Sequence, residues 1–226
     1  MYIFPCWVIT LILLILGVTA FFAPPNTSDV LNYHLPRVMH WIQNQSVRHY
    51  PTGIEFQNTY PPGAEYQILH LAILAGSDRW VNFAAWFTLL ASVVCVSLFA
   101  KSLKLNLDGQ ILSALFLVTL PGALLLASTS KNDLQVAFWV LFILTFMMRY
   151  FYESTTPFTL AAVFASLGMG FLTKSNILFF LAPILIWFAI TFFKHKGVKK
   201  SILWALIAML IFAAINAGFM LRNLQT

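Results

Sequence analysis

The chain has 226 residues, of which 60% are hydrophobic and only 9% are charged. Because a soluble domain usually has about a quarter charged residues, this composition excludes an ordinary soluble fold and indicates a helical protein with several membrane spans. The net charge of +6 does not indicate a nucleic-acid partner, since the basic residues lie between apolar runs, where membrane topology explains them better.

Apolar runs of about 20 residues are long enough to cross a bilayer as helices. The N-terminal run has no basic segment before it and is too long for the apolar part of a secretory signal, so we expect a retained span. The fold class predicted is an all-α membrane bundle, one module over residues 1–226 with about seven transmembrane helices. They are predicted at 3–22, 80–100, 109–128, 134–150, 157–172, 177–193 and 202–221.

One long polar interval, residues 23–62, follows the first predicted span. Ser28 is a favourable N-cap and Asp29 complements the positive end of a helix dipole, so we expect a helix over 28–43. Pro36 lacks an N–H group and is expected to kink this helix. Apolar and polar residues fall on opposite stripes, which predicts a helix on the membrane surface with its polar side in water. The apolar stripe is Leu31, Leu35, Val38 and Ile42, and the polar stripe is Asp29, Tyr33, Arg37 and His40.

The next apolar run, 63–76, is short for a full crossing. We expect a helix that dips into the membrane and returns to the side of the loop. A short true span is the alternative, and it would invert every later helix. The positive-inside rule favours the dipping helix, because most exposed cations then lie on the cytoplasmic side. These cations are Lys101, Lys104, Arg149, Lys194, Lys196, Lys199 and Lys200.

Several ionisable residues at helix ends share the outer side in this topology. They are Asp29, Glu65, Asp133, Lys174 and Arg222. Charges at membrane depth are energetically costly, and proteins that keep several on one side usually use them, although such residues also simply mark the interface. No motif of paired histidines or cysteines predicts a dedicated metal site. A divalent cation held by Asp29, Glu65 or Asp133 remains open.

Three short motifs follow one another along the chain. Ser28-Asp29 and Tyr33-His34-Leu35-Pro36-Arg37 come after the first span, Tyr60-Pro61-Pro62 opens the short apolar run, and Ser130-Lys131-Asn132-Asp133 follows the third span. Their order and spacing resemble the GT-C membrane glycosyltransferases, most closely the family 39-like relatives of protein mannosyltransferases and aminoarabinose transferases. The resemblance covers nearly the whole chain and implies the N-terminal seven-helix module of a family whose members are usually longer.

The resemblance implies a transferase that moves a sugar, with inversion, from polyprenyl phosphate to an unidentified acceptor. We expect it to act at the outer face of a cytoplasmic membrane. By resemblance the catalytic residue is Asp29. Two features depart from the family: relatives often have two adjacent acidic residues where this chain has Ser28-Asp29-Val30, and His-Pro-Pro where it has Tyr60-Pro61-Pro62. Glu65 would supply the missing polar group.

Transfer from a phosphate leaving group passes through an oxocarbenium-like state, so it needs a base for the acceptor and cations for the phosphate. Asp29 at the water boundary is the candidate base, and the lipid tail is expected between helices. The candidate substrate-binding residues are Tyr33, His34, Arg37, Glu65, Lys131, Asp133, Lys174 and Arg222. A second class stays open, a transporter or flippase-like protein that binds substrate without chemistry, although no internal repeat supports it.

Overall fold

The computed structural model describes residues 3–153 and 156–224, and all regular secondary structure in these ranges is helical. In chain order the helices are α1 (Ile3–Phe22), α2 (Leu35–Asn44), α3 (Phe56–Thr59), α4 (Gly63–Ala75), α5 (Phe83–Ser102), α6 (Leu107–Thr119), α7 (Pro121–Leu126), α8 (Asp133–Tyr152), α9 (Pro157–Thr173) and α10 (Ile177–Leu224). A π-helical segment, Val30–His34, leads directly into α2. The all-α class predicted from the sequence is confirmed.

Helices α1, α5, α8 and α10 are long and apolar enough to cross a membrane, and α6 and α9 are shorter apolar helices. The chain is therefore a multi-pass integral membrane protein. Helix α10 is divided at Gly197, whose φ of 75° and ψ of 171° are not helical. Only glycine adopts such a conformation readily. The sequence predicts a non-helical segment between the last two spans. In the structure only Gly197 departs from helical geometry, and helix covers 177–196 and 198–224.

The third predicted span, 109–128, is not continuous. Helix α6 ends at Thr119, and Leu120 is extended, with φ −62° and ψ 127°, before Pro121 begins α7. A proline ring clashes with a helical residue immediately before it, so Leu120 leaves the helix. The prediction of a single helix in this region is wrong.

The helix predicted over 28–43 is present, but Pro36 changes its hydrogen bonding. Without an N–H group, Pro36 cannot bond to the carbonyl of Asn32 four residues earlier. The chain widens into the π-helical segment before the proline, and the carbonyl of Asn32 accepts a hydrogen bond from the Gln57 side chain at 2.7 Å. Ser28 does not act as the expected cap, because its hydroxyl accepts from the Asn32 side chain at 3.0 Å.

The orientation predicted for this helix is wrong for part of its polar stripe. Arg37 has no exposed surface, whereas Leu31 and Ile42 of the apolar stripe are exposed. The reason is that α4 and the loop with α3 cover the face that carries Arg37 and supply partners for its charge. The helix is therefore enclosed by protein on a face that the sequence pattern assigns to water.

Helix α4 packs against α2 and closely approaches the end of α9. One buried cluster joins α4 to α2 and to the start of α5, and it comprises Val38, Ile68, Ala72, Val81 and Ala84. A Cβ atom on Gly63, the first residue of α4, would lie 2.8 Å from the carbonyl oxygen of Leu172. Glycine is therefore required for this approach. With 13 residues, α4 is about 20 Å long, shorter than a hydrocarbon core of about 30 Å.

Hydrogen bonds between turns gather the starts of α5 and α8 and the end of α9 at one end of the bundle. The side chain of Asn82 donates to the carbonyl of Ala23 at 2.9 Å and accepts from the hydroxyl of Ser130 at 2.7 Å. The side chain of Asn132 donates to the carbonyl of Thr173 at 3.2 Å. We call this the loop end, because the polar loop 23–62 packs there.

The opposite end, which we call the far end, holds the last turns of α5 and α8. Ser102, the last residue of α5, donates a hydrogen bond to Glu153, just beyond α8, at 3.0 Å. Between the two ends, a core of α8, α9 and the first part of α10 excludes water; it includes Ile143, Met147, Leu160, Val163, Ile177 and Leu181. This core packs α8, α9 and the first part of α10 against one another.

Candidate active site

Four ionisable side chains at the loop end form a continuous series of ion pairs, which we call the Asp–Lys chain. The Nζ atom of Lys131 lies 2.8 Å from Oδ2 of Asp29 and 3.6 Å from Oδ2 of Asp133. The Nζ atom of Lys174 lies 2.6 Å from Oδ1 of Asp133. All four side chains are partly exposed, between 25% and 44%. The structure thus brings together four of the residues that the sequence predicts as site residues.

Turns at helix ends position the Asp–Lys chain. Asp29 lies directly before the π-helical segment, Lys131 lies in the turn between α7 and α8, and Lys174 follows α9. Asp133 is the first residue of α8, where the helix dipole stabilises a carboxylate. The turn that carries Lys131 is held by buried Ser130 and Asn132 through their bonds to α5 and α9. The backbone position of Lys131 is therefore fixed by these hydrogen bonds.

The surroundings of Lys131 and of the nearby Tyr33 raise the pKa of each side chain, so each keeps its proton. The hydrogen bond to Asp29 raises the pKa of the Lys131 ammonium above its ordinary value, so it stays protonated at neutral pH. Burial, followed by the negative charges of Asp29 and Glu65, raises the pKa of the Tyr33 hydroxyl. Tyr33 therefore presents a neutral hydroxyl that feels the carboxylates of Asp29 and Asp133 and that of Glu65 in a second group of charges.

That second group is the Glu65 network, formed by His34, Arg37 and Glu65, whose exposed fractions are 0%, 0% and 1%. The Nδ1 atom of His34 and the Nη1 atom of Arg37 lie 2.9 Å and 3.3 Å from Oε1 of Glu65. Arg37 also donates to the carbonyls of Phe56, at 2.6 Å, and Gln57. The network joins the surface helix to α4 and to the loop around α3.

The Glu65 network is closed to solvent as it stands. The direct contact with substrate predicted for His34, Arg37 and Glu65 would require the network to open, which is costly because breaking a buried pair leaves an uncompensated charge. In the closed state these residues support α2, and their contact with substrate stays a prediction. Asp29 lies two turns before Arg37 in the same helical segment, so the network holds the candidate base in place indirectly.

Arg222, near the end of α10, lies apart from the Asp–Lys chain. Its Nη1 and Nη2 atoms donate to the carbonyls of Val47, at 3.0 Å, and Asn58, at 3.3 Å. Its guanidinium also lies 5.8 Å from the centre of the Trp41 ring. The side chain thus fastens the last helix to the polar loop, and the substrate-binding role expected for it stays a prediction.

Among the described residues, no group of three or more His, Cys, Asp or Glu side chains is arranged to hold a metal ion. Asp29 and Asp133 share the ammonium of Lys131, and Glu65 belongs to the buried network. A divalent cation between the two aspartates would therefore have to displace Lys131. The cation left open by the sequence stays a prediction.

A cavity of about 560 Å³ opens between α4, α5, α8 and α9, in the part of the bundle nearer the loop end. Gln135, two residues after Asp133, lines it together with the aromatic residues Tyr66, Phe87, Phe138 and Trp139. The indole N–H of Trp139 donates to the hydroxyl of Thr173 at 3.1 Å, which fixes the ring in the wall. The walls are mostly apolar and carry no carboxylate or ammonium group, so the cavity suits a hydrocarbon chain.

Sequence reasoning assigned no individual role to five residues that hold the turns or line the cavity, although two of them belong to the motif that ends at Asp133. They are Asn82, Ser130, Asn132, Gln135 and Thr173. The available signal was the presence of side-chain amides at the edges of apolar runs, where each buried amide needs a partner. The partners of Asn82 and Asn132 come from segments distant in the sequence, and no pattern along the chain identifies them.

Comparison with known protein families gives one match in this region. A family model described as dolichyl-phosphate-mannose-protein mannosyltransferase matches residues 59–217, well over half of the chain. Lys131, Asp133 and Lys174 lie inside this range, and Asp29 lies before it. Comparison with curated proteins and with solved structures gave no match.

Proposed function

The chain belongs to the dolichyl-phosphate-mannose-protein mannosyltransferase family, a GT-C family of glycosyltransferases that use lipid-linked sugar donors, and we propose that it transfers a sugar from polyprenyl phosphate to an acceptor hydroxyl. The observation that carries this proposal is the Asp–Lys chain at the loop end of a bundle that holds an apolar cavity toward the same end. A base, cations for phosphate and room for a lipid chain are what the reaction requires.

In the proposed step the acceptor hydroxyl gives its proton to Asp29 while its oxygen forms a bond to the anomeric carbon. The bond from that carbon to the phosphate oxygen breaks, and its electron pair leaves with the polyprenyl phosphate. The phosphate gains one negative charge, which Lys131 and Lys174 stabilise. Attack opposite the phosphate inverts the anomeric carbon, as the family resemblance implies.

Lys131 changes partner in this mechanism when the donor binds. It contacts Asp29 at 2.8 Å and Asp133 at 3.6 Å, while Lys174 already neutralises Asp133 at 2.6 Å. A donor phosphate between the two lysines attracts Lys131 away from Asp29 and leaves that carboxylate free for the acceptor proton. An exposed pair is worth about 0–1 kcal/mol, so a phosphate contact readily replaces it.

The same proposal places the loop end at the outer face of the cytoplasmic membrane and counts seven crossing segments. Support comes from α1, α5, α8, α9 and the two parts of α10, with α6 continued by α7 across the break at Leu120 as the remaining segment, while α4 dips and returns. The lysines around Gly197 then face the cytoplasm. In a variant without Cys6 and Cys95, a membrane-impermeant maleimide should label Arg48→Cys but not Lys196→Cys in intact cells. The opposite pattern would reverse the orientation.

The function is tested by incubating the purified protein in vesicles with radiolabelled polyprenyl-phosphate sugars and a mixture of candidate acceptors. We expect cleavage of the donor and appearance of the label on an acceptor. A donor that moves between the leaflets without cleavage would support the flippase-like alternative and contradict the proposal.

A further inference from the structure

A second cavity, of about 370 Å³, lies at the far end of the bundle. It is formed by the last turns of α8 and by α10 just before Gly197, and its walls include Tyr150, Tyr152, Trp187, His195 and Lys196. Tyr150 follows Asp133 by 17 positions in the same helix, so the cavity lies about 26 Å along α8 from the Asp–Lys chain. It is not part of the candidate active site.

The cavity carries positive charge that has no carboxylate partner within the described ranges. Lys196 is partly buried, and its Nζ atom lies 5.9 Å from the centre of the Tyr150 ring. The nearest acidic residue along α8, Glu153, is paired with Arg149 at 3.0 Å. Three more lysines, Lys194, Lys199 and Lys200, flank the same joint and are exposed.

The aromatic residues of the wall indicate where the cavity lies relative to the membrane. Trp187 and Tyr152 are the residue types that occupy the boundary between lipid headgroups and hydrocarbon.

We propose that this cavity binds the phosphodiester headgroup of an anionic phospholipid, with Lys196 as its principal contact. An anionic lipid fits better than a zwitterionic one, because the wall supplies the ammonium group of Lys196, which already lies over the Tyr150 ring that a choline would need. Basic pockets between transmembrane helices recognise such headgroups. The acyl chains would lie against the apolar faces of α8 and α10, and the aromatic walls would cover the glycerol. This site does not depend on the proposed transferase activity.

The test measures lipid retention by native mass spectrometry on the purified full chain in neutral detergent. Phosphatidylglycerol, phosphatidylcholine and soluble glycerol phosphate are added in separate titrations. We expect phosphatidylglycerol to bind most tightly. Lys196→Gln should weaken its binding about fivefold, the factor that corresponds to about 1 kcal/mol for one cation near a membrane surface.

Lys194→Gln is the matched control, because it removes the same charge two residues earlier without changing the wall of the cavity. It should leave the affinity for phosphatidylglycerol nearly unchanged. Equal binding of phosphatidylcholine and phosphatidylglycerol would overturn the proposal, as would equal losses in the two lysine variants. Glycerol phosphate binding as tightly as the lipid would show a site for free phosphate esters and would also overturn it.

Discussion

The ammonium group of Lys131 lies 2.8 Å from the carboxylate of Asp29, and this contact joins the turn before α8 to the polar loop after α1. The two residues come from segments with no sequence proximity. In the proposed mechanism, Asp29 as the base and Lys131 as the phosphate-binding cation restrain each other until a donor separates them. The proposed chemistry depends on this contact.

Removing either lysine of the Asp–Lys chain should weaken use of the donor. We expect Lys131→Gln and Lys174→Gln each to lower kcat/KM for the polyprenyl-phosphate sugar by about 10- to 100-fold, because each removes one cation from the departing phosphate. Steady-state transfer in vesicles measures this. Lys104→Gln, near the far end, should keep the wild-type value; an equal loss there would point to a general effect of net charge.

Glu65→Gln should destabilise the fold before it affects chemistry. The change leaves the buried guanidinium of Arg37 without its carboxylate, and breaking a buried pair costs about 3–5 kcal/mol in the free energy of unfolding. Thermal unfolding in detergent measures the change. Glu55→Gln is the control, because Glu55 is exposed and should change stability little. Equal melting temperatures for the two variants would remove Glu65 from its supporting role.

Gly63→Ala should separate α4 from α9. The added methyl would lie 2.8 Å from the carbonyl oxygen of Leu172, which is backbone and cannot rotate away, so we expect a loss of about 1–3 kcal/mol in stability. Gly122→Ala, in α7, has no neighbour within 4 Å of the new methyl and should not destabilise the protein. A Gly63→Ala variant as stable as Gly122→Ala would show that α4 packs elsewhere.

The helical class and the grouping of Asp29, Lys131, Asp133 and Lys174 could be anticipated because both follow from patterns along the chain. Long apolar runs form helices in a membrane. Because successive spans cross in opposite directions, the order of the spans determines which charged helix ends lie on the same side. The sequence therefore placed these four residues on one side. The sequence does not indicate which of these residues pair with each other, because the pairing depends on how the turn before α8 lies against α9.

The burial of Arg37 shows why the orientation of its helix could not be predicted from the sequence. A helical-wheel pattern assumes that one face of a helix meets lipid and the other meets water. Here a third partner, the loop around α3, covers the polar face through the carbonyl of Phe56. A carbonyl is present at every residue, so no sequence pattern marks this contact. The break in the helix at Leu120, by contrast, could have been predicted, because Pro121 follows it directly.

His49 should make stability depend on pH in the acidic range. Burial, and next the charge of Arg222, lower the pKa of His49 from 6.5. The folded state therefore binds fewer protons than the unfolded state below that value. The contribution of His49 to stability is complete above pH 6.5 and is lost as the pH falls through the folded-state pKa. Thermal unfolding from neutral pH downward should show this loss, and His49→Gln should reduce it; an unchanged slope in the variant would contradict the assignment.

Asp29→Asn addresses the chemical step itself, because the substitution keeps the shape of the side chain and removes its ability to accept a proton. In a single-turnover experiment with donor bound at saturation, we predict donor binding close to that of the wild type and transfer slower by about 10²- to 10⁴-fold. Asp78→Asn, an exposed carboxylate near the same end, serves as the control and should transfer at the normal rate. Transfer by Asp29→Asn at the wild-type rate would contradict the catalytic role of Asp29 and the mechanism built on it.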